Sequence, residues 1–140
     1  MRRWARRVEP SEHQHQVAVI DWWGSYAPSK GLDVRLLWAM PNAAKRSYAL
    51  ANHMKSEGLR PGVPDLFLAL PTVVFHGMFI EMKSAKGKPT TDQAGYLSVL
   101  RKQDYNCVVC QGADEAIVAV KAYLNRAMPY VEFKAQTKCC

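Results

Sequence analysis

Two of the most apolar runs of this 140-residue chain contain charged side chains. Asp65 begins the run "DLFLAL", and Glu81 and Lys83 close the run "MFIEMK". The core of a sheet excludes such side chains unless they are paired with one another or bind a metal ion. The chain must therefore fold so that these three charges share one polar site beside the apolar core.

Composition limits the classes of protein to consider. The chain has 49% hydrophobic residues and a net charge of +7, which predicts one globular domain with a polyanionic partner such as nucleic acid. A solvated basic surface is the alternative interpretation. No apolar run approaches the roughly 20 residues that span a bilayer. The basic start lacks the apolar segment of a secretory signal, so we expect an intracellular protein without membrane segments.

The order of helical and strand patterns predicts an α/β fold with a mixed central sheet flanked by helices. Ser11 with Gln14 and Thr90 with Gln93 form capping-box patterns, and Gly58 suits the end of a helix. The predicted elements are a helix from Ser11 to about 28, a strand over 33–40, a helix over 43–57, strands over 63–70 and 76–83, a helix from Thr90 to about 103, a strand over 105–111 and a helix over 113–127. We expect a basic arm over 1–10, a domain over 11–125 and a tail over 126–140.

The spacing of the charged residues indicates metal chemistry. Glu81 and Lys83 are two apart on a predicted strand, so their side chains leave the same face. Asp65 stands at the start of another strand, where it can point at Glu81. Two converging carboxylates repel one another unless a divalent cation lies between them, and oxygen ligands favour Mg²⁺ or Mn²⁺. A lysine beside such an ion can stabilise a phosphoryl transition state.

The motif Pro64-Asp65…Glu81-Met82-Lys83 resembles that of the PD-(D/E)XK nuclease superfamily and, within it, of the VRR-NUC (virus-type replication-repair nuclease) family. Four longer segments resemble the family as well, and the similarity runs from about Glu12 to Leu124. They are "AMPNAAKRS", "EGLRPGVPDLFLALP", "FIEMKSAKGKPTTDQ" and "QDYNCVVCQGADEAIVAVKAYL". The sequence departs from the family pattern in the unusually apolar stretch between Asp65 and Glu81. The resemblance implies a restriction-endonuclease-like core.

The resemblance also implies roles for individual residues. Asp65, Glu81 and the backbone carbonyl of Met82 would bind one or two Mg²⁺ ions, for which Mn²⁺ can substitute, and Lys83 would be the catalytic lysine. Glu12 would lie near the metal, directly or through water, although an acid at a helix start is also favoured by the helix dipole. Gln93 would support the lysine or the attacking water, although its capping box is a sufficient structural reason for it.

The implied function is a metal-dependent endonuclease that hydrolyses DNA phosphodiester bonds; the alternative is a non-catalytic DNA-binding module on the same fold. The DNA-binding residues implied by the resemblance and by charge are Asn42, Lys45, Arg46, Lys86 and Lys88. Small stand-alone members of the family are often phage-borne, so we expect a phage or prophage origin and a location in the cytoplasm of a bacterial host.

Assembly follows from the same resemblance. Stand-alone members resemble Holliday junction resolvases, which act as two-fold dimers on four-way junctions, and two-fold dimers are the commonest homo-oligomers. We therefore expect a homodimer that is selective for branched DNA. Exposed apolar side chains in the stretch over 71–77 would form a sticky patch unless they were covered. The candidate interface residues are Trp22, Trp23, Val73, Val74 and Phe75.

Overall fold

The computed structural model describes residues 8–41 and 47–137, apart from the side chains of Tyr48 and of residues 128–137. Its elements follow the predicted order, with one short 3₁₀ helix added before the first strand. They are α1 (Glu12–Ser29), the 3₁₀ helix (Val34–Leu36), β1 (Leu37–Ala39), α2 (Tyr48–Ser56), β2 (Leu66–Leu68), β3 (Met78–Lys83), α3 (Thr91–Arg101), β4 (Asn106–Gln111) and α4 (Ala113–Thr137). The α/β prediction is confirmed.

Capping side chains fix where the helices begin. In both predicted capping boxes the Ser or Thr side chain accepts from the glutamine N–H, and the glutamine side chain accepts from the cap N–H. Gly58 follows α2 with φ +101, as expected for the residue after a helix end. These local hydrogen bonds explain why the starts of α1 and α3 could be predicted from the sequence.

Several boundaries differ from the sequence prediction, and β2 covers only Leu66–Leu68 of the strand expected over 63–70. The strand expected over 33–40 begins only at Leu37 and is preceded by the 3₁₀ turn, because the Asp33 side chain accepts from the Arg35 backbone N–H and caps that turn. Helix α4 continues to Thr137, so the residues expected to form a tail from 126 are helical as far as 137. Asp65, Glu81, Lys83 and Gln93 keep the elements or element ends on which they were expected.

The four strands form one sheet in the order β1-β2-β3-β4. β1, β2 and β3 are antiparallel neighbours, and β4 runs parallel to β3. Since side chains alternate along a strand, Met78, Ile80 and Met82 of β3 lie on one face, and all three are buried in the main core with residues of α1 and α4. The opposite face of β3 therefore presents Phe79, Glu81 and Lys83.

The apolar stretch before β3 forms a tight turn. Thr72 Oγ1 accepts from the backbone N–H groups of Val74 and Phe75, and the Thr72 N–H donates to the Phe75 carbonyl. Phe75 packs against the core, whereas Val73 and Val74 are 84% and 65% exposed. This turn therefore places two valines on the surface.

Trp23 is 1% exposed, and its indole N–H donates to the Val34 carbonyl at 2.9 Å. Its proposed place in a dimer interface is therefore wrong, because the ring is already used inside the domain. Trp22 stacks on Tyr26 at 4.6 Å between ring centroids and lies under the Lys121 ammonium.

In the part of the chain described, no helix is long and apolar enough to cross a membrane.

Candidate active site

The sheet register brings the two predicted acids together. Leu66 of β2 pairs with Ile80 of β3, and continuing this antiparallel register by one residue sets Asp65 opposite Glu81. Asp65 Oδ2 accepts from the Met82 backbone N–H at 2.7 Å, which fixes the carboxylate against β3. The sequence-based expectation that Asp65 points at the neighbouring strand is thus met by a specific hydrogen bond.

Glu81 has the most unusual environment in the site. Its side chain is 0% exposed, and Oε1 accepts from Lys83 Nζ at 2.9 Å and from Gln93 Nε2 at 2.5 Å. Its second oxygen, Oε2, is buried and has no hydrogen-bond partner among the described residues. A buried acceptor without a partner costs free energy, so this atom needs a further electropositive group.

Burial, with smaller contributions from the negative charges of Asp65 and Glu12, raises the pKa of Glu81 to about 7, while Lys83 opposes the change. The carboxylate is therefore held in surroundings that disfavour its charge despite the lysine. Perturbed acids of this kind concentrate at functional sites.

Gln93 serves both as a helix cap and as a site residue. Its Oε1 accepts from the Thr90 N–H at 2.8 Å, which orients the amide so that Nε2 faces Glu81. The capping box therefore aims the side chain that holds the carboxylate. The two sequence interpretations of Gln93 are compatible, although its observed partner is Glu81 rather than Lys83.

Glu12 comes to the site from the first turn of α1. Its Oε1 lies 3.4 Å from the Ser84 backbone nitrogen, which donates to it. A Cβ added at Gly87 would lie 3.3 Å from the same oxygen, so a glycine keeps this approach open. Glu12 is also one of the acids whose charge raises the pKa of Glu81, so the first helix brings a third acid near the pair.

Gly62 was not singled out by the sequence as a site residue. It has φ +80, and a Cβ there would lie 2.6 Å from the Asp92 carbonyl carbon and 2.9 Å from the Gln93 nitrogen. The chain leading to Asp65 therefore packs directly on the first turn of α3. The only sequence signal was a glycine three residues before the aspartate, and its contact could not be read from that spacing.

His15 of α1 is half-buried, and its Nδ1 accepts from the Ala113 N–H at 3.2 Å. It thereby caps the start of α4, a contact between residues 98 positions apart. Sequence patterns could not indicate this pairing, because it depends on how α1 and α4 pack together.

The predicted DNA-binding residues divide into two groups. Lys86 and Lys88 are exposed on the loop that follows β3, directly after the lysine of the site. Asn42, Lys45 and Arg46 lie outside the described residues. The loop after β3 therefore carries two exposed lysines that follow Lys83 closely in sequence.

The donor set suits a hard divalent cation. Asp65 and Glu81 are neighbours that offer oxygen only, and the unpartnered Glu81 Oε2 lacks the electropositive contact that an ion would give. Within residues 8–41 and 47–137, no group of three or more His, Cys, Asp or Glu side chains is arranged to hold a metal. Any ion here would depend on these two carboxylates, backbone oxygen and water, which is compatible with Mg²⁺.

Comparison with known proteins gives the family. The family model of the VRR-NUC domain matches residues 5–114 of the sequence. The chain belongs to the VRR-NUC family. A solved structure described as a VRR_NUC domain protein superposes with a TM-score of 0.68 at 24% identity, covering 84% of this chain and 91% of that chain. No match was found among curated proteins.

Membership of the VRR-NUC family implies a nuclease-type hydrolase with DNA as its substrate. The structural likeness supports the fold, a mixed four-stranded sheet flanked by helices that is consistent with a PD-(D/E)XK-like core. The residues of the candidate site, from Glu12 to Gln93, lie inside the matched range.

The buried carboxylate of this VRR-NUC domain predicts a pH dependence of stability. The pKa of Glu81 is about 7 in the folded chain, against 4.5 for an ordinary glutamate, so between these values the native state binds more protons than the unfolded state. The free energy of unfolding attributable to Glu81 therefore falls as pH rises from about 4.5 to 7, by on the order of 2–3 kcal/mol. Urea titrations in EDTA should show that Glu81→Gln removes this fall.

The control is Asp21→Asn, since that side chain is exposed on α1 and lies far from β3 in sequence. It should leave the profile unchanged. A Glu81→Gln profile that follows the wild-type one across the same pH range would contradict the raised pKa.

Gly62→Ala should destabilise the VRR-NUC domain by roughly 1–3 kcal/mol, because φ is positive and the added methyl group meets the backbone of α3. Gly95→Ala, inside α3, is the matched control, since a Cβ there meets nothing within 4 Å and alanine favours helix. Chemical denaturation should show loss for the first and a gain of about 0.5–1 kcal/mol for the second. Equal effects would refute the close contact.

Proposed function

We propose that this protein is a metal-dependent DNA endonuclease that hydrolyses phosphodiester bonds. The observation that carries the proposal is the fully buried Glu81 carboxylate, with one oxygen held by Lys83 and Gln93 and the other without a partner in the described structure. A purely structural ion pair would gain by satisfying both oxygens. A site that receives a cation and a phosphate has a reason to leave one oxygen available.

The proposed cofactor is Mg²⁺, for which Mn²⁺ can substitute. Asp65, Glu81 and the Met82 backbone carbonyl would hold it, with Glu12 acting directly or through water. When bound, such an ion supplies Lewis-acid stabilisation of the charge that develops on the phosphate oxygens. The site would bind one or two such ions.

Lys83 and Gln93 would act beside that centre in different ways. The Lys83 side chain is 8% exposed and lies on the same strand face as Glu81, so its ammonium can stabilise charge on a phosphoryl group where water is largely excluded. Gln93 is a positioning residue, because its amide donates to the carboxylate and its own orientation is set by Thr90. A shift of α3 would therefore misplace Glu81.

Exposed basic side chains would bind the DNA backbone. Lys86 and Lys88 follow the site on one loop, and Asn42, Lys45 and Arg46 are proposed from sequence to join them. Contacts of this kind are made to phosphates and read no bases. The non-catalytic alternative would use the same contacts without cleavage, so a cleavage assay separates the two functions.

Labelled linear and branched DNA should be cut with Mg²⁺ or Mn²⁺ and remain intact in EDTA. Asp65→Ala and Glu81→Ala should abolish cleavage, and Lys83→Ala should slow single-turnover cleavage by about 100-fold or more, with DNA affinity nearly unchanged. Lys83→Arg should restore little, because guanidinium is a broad fork rather than a compact charge.

Lys86→Ala is the matched control for Lys83→Ala. Its side chain is exposed, so it should weaken DNA binding and reduce the slope of log affinity against log salt by about one unit. Its single-turnover rate at saturating DNA should match wild type. Cleavage that persists in EDTA, or a wild-type rate in Lys83→Ala, would defeat the proposed chemistry.

A homodimer that places two sites on a branched or four-way junction extends the proposal. Val73 and Val74 support it, because they are exposed on a turn fixed by Thr72. Light scattering at micromolar concentration should give twice the chain mass of 15.8 kDa. A mass of one chain would exclude the dimer, and equal cleavage of linear duplex and junction would exclude junction selectivity. A phage or prophage origin and a bacterial cytoplasmic location remain predictions from the family resemblance.

A further inference from the structure

An aromatic row crosses the sheet on the face that carries the site. The register pairs Trp38 of β1 with Phe67 of β2, and Phe67 with Phe79 of β3. Phe79 lies two residues before Glu81, and Phe67 two residues after Asp65, so rings and carboxylates leave the same face. The aromatic row is thus the row of side chains directly next to the paired acids.

The rings of this row pack on one another. Ring centroids are 5.0 Å apart for Trp38 and Phe67, with the planes at 78°, and 4.4 Å apart for Phe67 and Phe79. Tyr105 closes the far end at 5.3 Å from Phe79. A Cβ at Gly77 would lie 2.8 Å from the Phe67 ring, so that position leaves no room for a larger residue. The row is a rigid support whose members hold each other in place.

The exposed end of the row is Trp38. Its residue surface is 42% exposed on the edge strand β1, whereas Phe67 and Phe79 are half-buried. A single exposed apolar side chain on a surface is ordinary. Trp38 differs because its ring packs on Phe67. From there the aromatic row continues to Phe79, the strand position beside the carboxylates.

Along β3, an aromatic side chain on this face is followed by charged ones. On β3 the order is Phe79, Glu81 and Lys83 at two-residue intervals, and exposed Lys86 and Lys88 come after them. A polynucleotide strand has the matching chemistry, with anionic phosphates and flat apolar bases. From strand spacing and rise, the Cα of Trp38 lies about 12 Å from that of Glu81. Stacked nucleotides rise about 3.4 Å each, so this distance corresponds to a few nucleotides.

We propose that Trp38, supported by Phe67 and Phe79, stacks an unpaired base of the DNA whose phosphate lies at Glu81 and Lys83. This inference rests on the proposed nuclease function and specifies its substrate as DNA with a single-stranded segment beside the cleaved bond. Stacking needs an accessible base face, which an intact duplex does not offer along its length. The aromatic row therefore selects for a splayed, gapped or single strand.

Binding measured in EDTA tests the inference without cleavage. Fluorescence anisotropy should give the affinity of wild type, Trp38→Ala and Trp38→Phe for a labelled single strand and for the duplex of the same sequence. Trp38→Ala should weaken single-strand binding about 5- to 100-fold and leave duplex binding unchanged, the range expected for one stacked base. Trp38→Phe should keep most of the affinity, since it preserves an aromatic face.

Leu50→Ala is the control, because Leu50 is also 42% exposed but lies on α2, away from the row. It should bind both DNAs like wild type. Equal loss by Trp38→Ala for duplex and single strand, or no loss for either, would overturn the stacking role.

A second measurement uses only the wild-type protein, so it does not depend on how the variants fold. Abasic sites placed one at a time along the single-stranded arm of a splayed duplex, whose junction fixes the register, should reduce affinity sharply at one or two adjacent positions. A uniform response along the strand would overturn the proposal. Neither assay needs a metal ion, so binding and cleavage can be judged separately. Binding that depends on Trp38, without Mg²⁺-dependent cleavage, would refute the nuclease proposal alone. Cleavage without Trp38-dependent binding would refute stacking alone.

Discussion

The buried carboxylate of Glu81 is the constraint around which this domain is arranged. Taking a carboxylate out of water is costly, and a single lysine repays that cost only in part, as the pKa of about 7 shows. The fold supplies Lys83 from the same strand and Gln93 from α3, and both donate to the same oxygen. The second oxygen is where the proposed cation would complete the charge balance.

The contacts that hold this carboxylate also hold several elements of the fold together. The Thr90 cap orients Gln93, and Gly62 lets the segment before Asp65 pack against the first turn of α3. Asp65 is anchored by the Met82 N–H, so both acids are fixed to one strand. Stability and site geometry therefore depend on the same contacts, and a change at Gly62 would affect both.

Local signals explain what the sequence could predict. Capping boxes mark helix starts, alternation marks strands, and the two-residue spacing of Glu81 and Lys83 puts them on one face. The order of elements and the pairing of Asp65 with Glu81 follow from those signals and from the family resemblance. The extension of α4 to Thr137 was missed because its end carries no capping pattern that the sequence could show.

Contacts between distant segments could not be predicted in the same way. The cap of α4 by His15 and the closeness of Gly62 to Asp92 depend on how helices pack, which no local spacing encodes. The burial of Trp23 was misjudged for a similar reason, since its indole partner is a carbonyl in the 3₁₀ turn. The aromatic row became visible only when the register of β1, β2 and β3 was known.

The most direct test of the site is Mn²⁺ binding measured by calorimetry near pH 6.5, in two buffers with different ionisation enthalpies. With a Glu81 pKa of about 7, much of the carboxyl group is protonated at that pH, so binding should release a substantial fraction of a proton. The observed heat should then depend on the buffer in the wild type, and Glu81→Gln should bind weakly or not at all. Equal Mn²⁺ affinity in both proteins, without proton release in the wild type, would show that this carboxylate does not hold the ion.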